Sequence, residues 1–184
     1  ERQLGGFEQA DYAVRLRTTF AEAEGVLVVN PTIADLVRPH TPAVHVVPSG
    51  FNPLRFPPEI APRQRGPAER QRILFAGLTE EFMKGFHVLR TAAELLFAER
   101  QDFELVVTAD PQGHANAFTH WIGWQSQSDL PAVMQACDIV AFPTVAQEAL
   151  GRSAVEAMGC GRPVVASRIG GLPWVVEDGV IPTV

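Results

Sequence analysis

The chain has 184 residues, which is enough for one domain of ordinary size and a piece of another. Hydrophobic residues make up 46% of it and charged residues 20%, a composition typical of folded proteins and not of disordered chains. The net charge of −6 argues against a nucleic-acid partner, because nucleic-acid-binding surfaces are basic.

Two further features bear on compartment and metal chemistry. No stretch approaches the ~18 apolar residues of a membrane span, and no signal peptide is visible. Cys137 and Cys160 lie in apolar runs, and their spacing fits no metal motif. We therefore expect buried, reduced thiols, no bound metal and a cytoplasmic protein, with peripheral attachment to the inner membrane left open for a full-length parent.

The first 50 residues alternate between helix and strand. Asn30-Pro31 predicts a helix start, because Asn accepts hydrogen bonds from free amides and Pro fits the first turn. Apolar residues near helical spacing, at Phe7, Tyr12, Leu16 and Phe20, predict a first helix over 7–23. The predicted order is helix 7–23, strand Val26–Val29, helix 31–37 and strand Val44–Val47. We assign residues 1–51 to the end of one domain.

A proline-rich stretch follows, over residues 52–70, with prolines at 53, 57, 58, 62 and 67. Such a segment cannot continue a helix or a central strand, so we predict a linker between domains.

Short apolar strands then alternate with helices over residues 71–184. This pattern predicts an α/β domain, a Rossmann-like parallel sheet with helices on both faces. Ser128 is the predicted cap of one of the helices. The predicted strands are Ile73–Ala76, Phe103–Thr108, His120–Ile122, Ile139–Phe142 and Val164–Ala166, and the predicted helices are 85–100, 128–136, 153–158 and 172–176.

Ligands of open parallel sheets bind beyond the carboxyl ends of the strands, so the loops there are the candidates for a site. Lys84-Gly85, at a predicted helix start, suits a phosphate group. Lys84 is also the single lysine beside 14 arginines. The alternative is a solvated lysine in a flexible loop. Neither a Walker loop nor a dinucleotide-binding glycine motif is present.

A second candidate loop follows the predicted strand 139–142. Gly151 and Ser153 mark a helix start whose free amides suit an anion, and Glu148 and Glu156 offer acceptors for hydroxyl groups on either side. Phosphate donors flanked by hydroxyl acceptors indicate a sugar nucleotide. Alternatively, Glu148 favours the helix dipole and Glu156 is solvated. Gly170-Gly171 permits close approach to a ligand or is an ordinary turn.

Together these motifs resemble a known family. They are the block from Asp138 through Glu148 and Glu156 to Ser167, the following Gly170-Gly171 and Asp178-Gly179, the pair Gly77 and Lys84-Gly85, and the segment 46–57. This pattern is similar to the C-terminal half of retaining glycosyltransferases of the GT-B fold, in the glycosyltransferase group 1 family that includes proteins like glycogen and sucrose synthases.

The resemblance implies a role for each motif. Lys84 would bind the donor diphosphate, Glu148 the hydroxyls of the transferred sugar, and Glu156 the ribose, with Glu148 and Lys84 as catalytic residues. The donor would be a nucleotide-sugar, UDP- or GDP-linked, with no cofactor and no obligatory metal. The implied donor-binding set is Gly77, Lys84, Gly85, Thr108, Ile122, Gly123, Trp124, Glu148, Ala149, Leu150, Gly151, Arg152, Glu156, Gly170 and Gly171.

The chain departs from the family pattern at three positions. Leu78 stands where an arginine is usual, Trp174 where a glutamate is common, and Ala109 where a glycine is common. Leaving-group stabilisation would then rest on Lys84, with Arg152 as a candidate substitute for the missing arginine. These departures concern the donor more than the fold.

The length implies that the chain is part of a longer protein, since a GT-B enzyme has two Rossmann-like domains and the chain opens at Glu1. We expect the full-length parent to be a glycosyltransferase and this fragment to be inactive alone. The acceptor is unidentified and would be a glycan, a lipid or a small molecule. We also expect the chain to self-associate through open sheet edges. Two alternatives remain: a non-catalytic nucleotide-binding module of the same fold, and a nucleotide-sugar epimerase.

Overall fold

A computed structural model describes residues 6–58, 63–111 and 116–177, with no description of the side chains of residues 6–10. The chain divides between Ser49 and Gly50 into two units. The boundaries assigned from sequence at 51 and 70 stay predictions.

The first unit follows the predicted α-β-α-β order. Helix α1 is Gly6–Glu22, strand β1 is Val26–Val28, helix α2 is Pro31–Val37, and strand β2 is Val44–Val46, with a short 3-10 turn at Arg38–His40. The side chain of Asn30 accepts a hydrogen bond from the Ile33 amide at 2.8 Å, which confirms the predicted helix start.

Strands β1 and β2 pair in parallel, in the register Val26 to Val44. Their inner face packs against α2 in a small core of Val28, Ala34 and Val37, which Phe20 of α1 joins. Tyr12 and Leu16 of α1 are exposed. The predicted helix is therefore confirmed, but only part of its apolar pattern is buried. The side chain of Phe7 lies outside the described residues.

The second unit is built on a five-stranded parallel sheet, which confirms the predicted α/β architecture. Its strands are β3 (Gln71–Phe75), β4 (Phe103–Val107), β5 (Thr119–Trp121), β6 (Ile139–Phe142) and β7 (Val164–Ala166), and its helices are α3 (Phe86–Glu99), α4 (Leu130–Gln135) and α5 (Arg152–Gly159). The strand order is β5-β4-β3-β6-β7. The direction of winding reverses between the adjacent strands β3 and β6.

Helices cover both faces of this sheet, because alternate strand residues point to opposite sides. Phe75 and Leu105 pack with Phe86 and Ala93 of α3 on one side. On the other face, Leu74, Val106 and Val140 pack with residues of the other two helices, among them Met134 of α4 and Ala157 of α5. The strands read as continuous apolar runs for this reason.

Parts of the proline-rich stretch pack on the second unit. Phe56 is only 2% exposed and belongs to the core that contains Leu74 and Val140. The carbonyl of Pro57 accepts a hydrogen bond from the Gln135 side chain at 2.7 Å. Asn52 supplies the local turn, since its carbonyl accepts from the amide of Phe56. The predicted absence of regular structure holds for the described residues of this stretch, but the segment also contributes a core anchor.

One predicted helix cap is wrong. Helix α4 begins at Leu130, and Asp129 is its first flanking residue. The hydroxyl of Ser126 accepts from the Asp129 amide at 3.2 Å, while Ser128 contacts the Ser126 hydroxyl instead. Ser126 also donates a hydrogen bond to the Asp129 carboxylate at 2.5 Å. The residue that holds the start of α4 is therefore Ser126, two residues before the predicted Ser128.

Both cysteines are free and buried, as predicted. Burial raises the pKa of the Cys137 thiol to about 12 and also raises the pKa of the Cys160 thiol. Neither thiol is therefore a nucleophile near neutral pH. Over the described ranges, every helix is too short or too polar to cross a bilayer.

A charged network lies at the amino ends of the strands, on the edge opposite to the candidate loops. The carboxylate of Asp138 accepts hydrogen bonds from the Arg72 amide at 2.7 Å and the Arg63 guanidinium at 3.3 Å, and both side chains, Arg63 and Asp138, are largely buried. We expect Asp138→Asn to destabilise the protein by roughly 1–2 kcal/mol, because it removes the charge from two partly buried bonds. Urea unfolding measures this loss.

The matched control is Asp102→Asn. Asp102 forms an ion pair with Arg100 in which both side chains are more than half exposed. Exposed pairs contribute little, so this variant should lose much less stability than Asp138→Asn. Equal losses in the two variants would show that the Asp138 network does not stabilise the sheet.

Candidate functional site

The two candidate loops meet where the winding of the sheet reverses. The loop of residues 76–85 follows β3, and the loop of residues 143–151 follows β6. The two strands are neighbours, with Leu74 opposite Val140. In open parallel sheets this point forms the crevice in which ligands bind. The sheet therefore brings Lys84 and Glu148 to one place.

Lys84 is the last residue of a 3-10 turn, Phe82–Lys84, directly before α3. The turn closes through the Gly85 amide, which donates to the Phe82 carbonyl at 3.1 Å. Gly85 has a φ of 74°, the left-handed conformation that glycine adopts without strain. This reversal lets the chain pass from the turn into α3 while Lys84 stays at the rim.

Gly85 also lets the two loops touch. A Cβ at this position would overlap the carbonyl oxygen of Pro143. The glycine that was predicted to serve a phosphate thus has a structural reason of its own, which is close packing of one loop on the other.

The side chains of Lys84 and Glu148 form an ion pair. The Lys84 Nζ lies 3.6 Å from the Glu148 Oε2, and the two side chains are 44% and 30% exposed. Both groups therefore remain accessible to a ligand. A cation beside a carboxylate can bind an anionic group and a neighbouring hydroxyl of one molecule.

The loop that carries Glu148 is held from behind by Gly170 and Gly171. The Gly171 amide donates to the Glu148 carbonyl at 2.6 Å. A Cβ at Gly170 would overlap the backbone of Glu148, and one at Gly171 the backbone of Ala149. The close approach that these two glycines permit is therefore to the protein's own chain. A direct contact with a ligand stays a prediction.

Gly151, whose φ is 79°, directly precedes helix α5. Leu150 and Gly151 are buried, whereas Ala149 is exposed at the rim. Arg152, the first helical residue, lies with its Nη2 3.8 Å from the Glu156 Oε1. Arg152 is largely exposed, and its ion pair is with Glu156. Its substitution for the missing arginine stays a prediction.

Glu156 is buried, not solvated as the alternative interpretation had it. It is 5% exposed. Burial raises the pKa of the Glu156 carboxyl, although the guanidinium groups of Arg152 and Arg55 lower that pKa in part. Glu156 is also the partner of the Arg152 guanidinium, at 3.8 Å, so its contact with a ligand stays a prediction.

The remaining predicted residues lie at the ends of neighbouring strands. Thr108 is buried directly after β4, and its amide donates to the Phe75 carbonyl at 3.2 Å. Gly123, with a φ of 70°, follows β5, and the next residue, Trp124, is 75% exposed. Gly77 and Leu78 lie half-buried after β3. Asp178-Gly179 of the motif lies outside the described residues.

Thr144 is a residue at this site to which the sequence argument gave no role. Its hydroxyl donates to the Met83 carbonyl at 2.8 Å. The amide of Val145 donates to the same carbonyl at 3.0 Å. The one sequence feature that could have indicated a role for Thr144 is its hydroxyl group directly after Pro143, the residue that follows β6.

The described residues contain no cluster of three or more His, Cys, Asp or Glu side chains placed to hold a metal ion. The groups that could bind a ligand at this site are one lysine, two glutamates and the amides of the loops.

Comparison with known proteins gives a consistent result at the level of sequence. The sequence profile of the family described as Glycosyl transferases group 1 matches residues 70–183. A D-inositol 3-phosphate glycosyltransferase of Arthrobacter sp. (strain FB24) is 33% identical, over 97% of this chain and 45% of the relative. One from Corynebacterium diphtheriae is 30% identical, over 97% of this chain and 48% of the relative. The chain thus spans about half the length of these relatives.

Solved structures agree with this match in fold. Sucrose-phosphate synthase from Thermosynechococcus elongatus superimposes with a TM-score of 0.71 at 21% identity, over 90% of this chain and 46% of the other. Anabaena HepE, in a complex with UDP, gives 0.75 at 22% identity, over 95% of this chain and 53% of the other. At these identities the likeness concerns the fold alone.

Proposed function

The chain belongs to the group 1 glycosyltransferases, and from that premise we propose that its second unit binds the nucleotide-sugar donor of a retaining glycosyl transfer. The observation that carries the proposal is the approach of Lys84 Nζ to Glu148 Oε2, at 3.6 Å, at the reversal point of the sheet. A single ligand that reaches both needs an anionic group next to a hydroxyl. The diphosphate and the sugar of a nucleotide-sugar have this arrangement.

The proposed mechanism follows from these charges. Departure of a nucleoside diphosphate from an oxocarbenium-like sugar leaves negative charge on the leaving oxygens. The Lys84 ammonium stabilises that charge, and a preorganised cation is effective because it does not reorganise during the reaction. Glu148 accepts hydrogen bonds from the sugar hydroxyls, and Glu156 from the ribose. The base lies toward Thr108 and the loop of residues 122–124. We propose no metal in this step.

The names of the relatives suggest which ligands to test first. HepE was solved with UDP, and in another crystal with UDP-glucose, so UDP-sugars come before GDP-sugars. D-inositol 3-phosphate, for which the curated relatives are named, is the first acceptor to test. Because the chain spans about half of those relatives, donor binding is proposed for this unit and sugar transfer for the whole protein, in the cytoplasm.

Titration calorimetry of the 184-residue chain with UDP, GDP and ADP and their glucose conjugates tests donor binding. We expect one of the three nucleoside diphosphates to bind more tightly than the others. Absence of binding by all of them would refute the donor site. A parent protein that binds a donor but neither transfers nor hydrolyses its sugar would be a non-catalytic module, and an altered sugar in the recovered nucleotide would indicate an epimerase.

Self-association is a separate proposal. The two-stranded sheet of the first unit, β1 and β2, has outer edges that can pair with another strand. Light scattering tests it, since a monomer at high concentration would contradict pairing between copies.

Glu156→Gln should stabilise the ligand-free protein near neutral pH. Burial raises the pKa of Glu156 above its value in the unfolded chain, so ionisation of this carboxyl disfavours the folded state. Wild-type stability is then lost as pH rises from the unfolded pKa through the folded pKa. The neutral amide avoids that loss, and we expect a gain on the order of 1 kcal/mol at pH 7 by urea unfolding.

The gain should disappear below about pH 4, where the carboxyl is protonated in both states. Glu99→Gln, at an exposed position at the end of α3, is the matched control and should change stability by less than about 0.5 kcal/mol. In the proposed role, Glu156→Gln also weakens binding of the nucleoside diphosphate. If Glu156→Gln were less stable than wild type at pH 7, the buried charge of Glu156 would not disfavour the folded state.

A further inference from the structure

The carbonyl of Met83 is the point where the two loops of the site are joined by hydrogen bonds. It accepts one bond from the Thr144 hydroxyl at 2.8 Å and another from the Val145 amide at 3.0 Å. Thr144 is 7% exposed, so its hydroxyl does not exchange this partner freely for water. Met83 itself exposes more than half of its side chain. The contact therefore fixes the backbone of the turn through a carbonyl group and does not involve the Met83 side chain.

The position of this contact in the chain matters for the ion pair. Met83 directly precedes Lys84, and Thr144 lies four residues before Glu148. Each end of the bond is thus close in sequence to one partner of the Lys84–Glu148 pair. Gly85 packs on Pro143 beside this contact, so the two backbones also approach each other there.

We propose that Thr144 is a positioning residue that holds the Lys84 turn against the Glu148 loop, in the register that diphosphate binding requires. The inference rests on the proposed function for its ligand and on the two hydrogen bonds for its geometry. The bond from position 144 requires a particular side chain, whereas the bond from the Val145 backbone amide could form with almost any residue at position 145. A serine at position 144 can donate this hydrogen bond and a valine cannot, since only a hydroxyl group donates.

A purely structural role for Thr144 makes a different prediction. If the hydroxyl only satisfied a buried group, its loss would lower stability and weaken all ligands equally. Thr144→Val keeps the shape, and the Met83 carbonyl keeps the bond from Val145. We therefore expect the variant to fold, with the loss confined to the turn that carries Lys84.

Hydrogen exchange followed by mass spectrometry tests the geometry without a ligand. We expect Thr144→Val to increase exchange in the segment 82–85 and at Val145, and Thr144→Ser to leave both near the wild-type rate. Thr91→Val is the matched control, because the Thr91 hydroxyl bonds within α3, to the His87 carbonyl at 3.0 Å, and joins no loops. Unchanged exchange in Thr144→Val would overturn the inference even in a protein that binds no nucleotide.

Calorimetry with UDP and UMP tests the consequence for binding. Thr144→Val should weaken UDP by on the order of 3- to 10-fold, the worth of one hydrogen bond, and leave UMP within about 2-fold. In a Lys84→Ala background the same substitution should have no further effect on UDP. Equal losses for UDP and UMP, or a full additional loss without Lys84, would show a structural role only. Failure of wild type to bind either probe would count against the donor site, with the exchange experiment left to decide the role of Thr144.

Discussion

Lys84→Ala is expected to weaken binding of a nucleoside diphosphate by roughly 10- to 150-fold. The Lys84 ammonium is partly exposed and lies 3.6 Å from Glu148 at the reversal point of the sheet. A hydrogen bond to a charged group contributes about 1.5–3 kcal/mol, which corresponds to this range. Binding of the monophosphate should change by less than about 3-fold, because the lost cation faces the second phosphate in the proposed geometry. Calorimetry with UDP and UMP measures both constants.

The controls for this variant separate charge from fold. Lys84→Arg keeps the charge and should retain most of the diphosphate affinity. Arg100→Ala removes an exposed cation at the other end of α3 and should leave binding unchanged. Stability should differ little, since partly exposed ion pairs contribute about 0–1 kcal/mol. If Lys84→Ala bound UDP as tightly as wild type, Lys84 would have no part in the site.

Gly85→Ala is expected to be the most disruptive single methyl group at the site. The φ of 74° costs a residue with a Cβ about 1–2 kcal/mol, and the added carbon overlaps the Pro143 carbonyl oxygen. Overpacking adds typically 1–3 kcal/mol, so we expect a total loss of roughly 2–5 kcal/mol. Because relief requires the two loops to separate, diphosphate binding should be lost as well. Urea unfolding and calorimetry measure the two effects.

Gly50→Ala is the matched control, because a Cβ there would meet nothing within 4 Å. It should be neutral or slightly stabilising, since alanine restricts the unfolded chain. If Gly85→Ala were as stable as Gly50→Ala, the contact between Gly85 and Pro143 would not hold the two loops together.

The fold could be predicted from the sequence because its signals are local. Short apolar runs between helical segments specify a parallel sheet covered on both faces, and the Asn30-Pro31 pair fixes a helix start within three residues. The strand order β5-β4-β3-β6-β7 has no such local signal. Phe56 shows the same limit, since a proline-rich stretch reads as exposed while one aromatic ring within it belongs to the core.

The candidate site was partly predictable for a related reason. The rule that ligands bind at the carboxyl ends of parallel strands places Lys84 and Glu148 at one edge, and the structure brings them together. The sequence does not predict which part of the backbone each glycine approaches. Gly170 and Gly171 meet the chain at 148–150, and Gly85 meets Pro143, and these contacts depend on loops distant in sequence. The bond from Thr144 to Met83, 61 residues apart, was missed for the same reason.

The most direct test of a phosphate-binding Lys84 uses the fact that the chain has a single lysine. Protein labelled with ¹³C and ¹⁵N only in lysine gives one signal for the lysine Cε methylene, and its assignment needs no variant. We expect this signal to shift on titration with UDP, or with GDP if it binds more tightly, and to stay nearly still with the matching monophosphate. A diphosphate that binds by calorimetry and leaves the lysine signal unmoved would contradict the account.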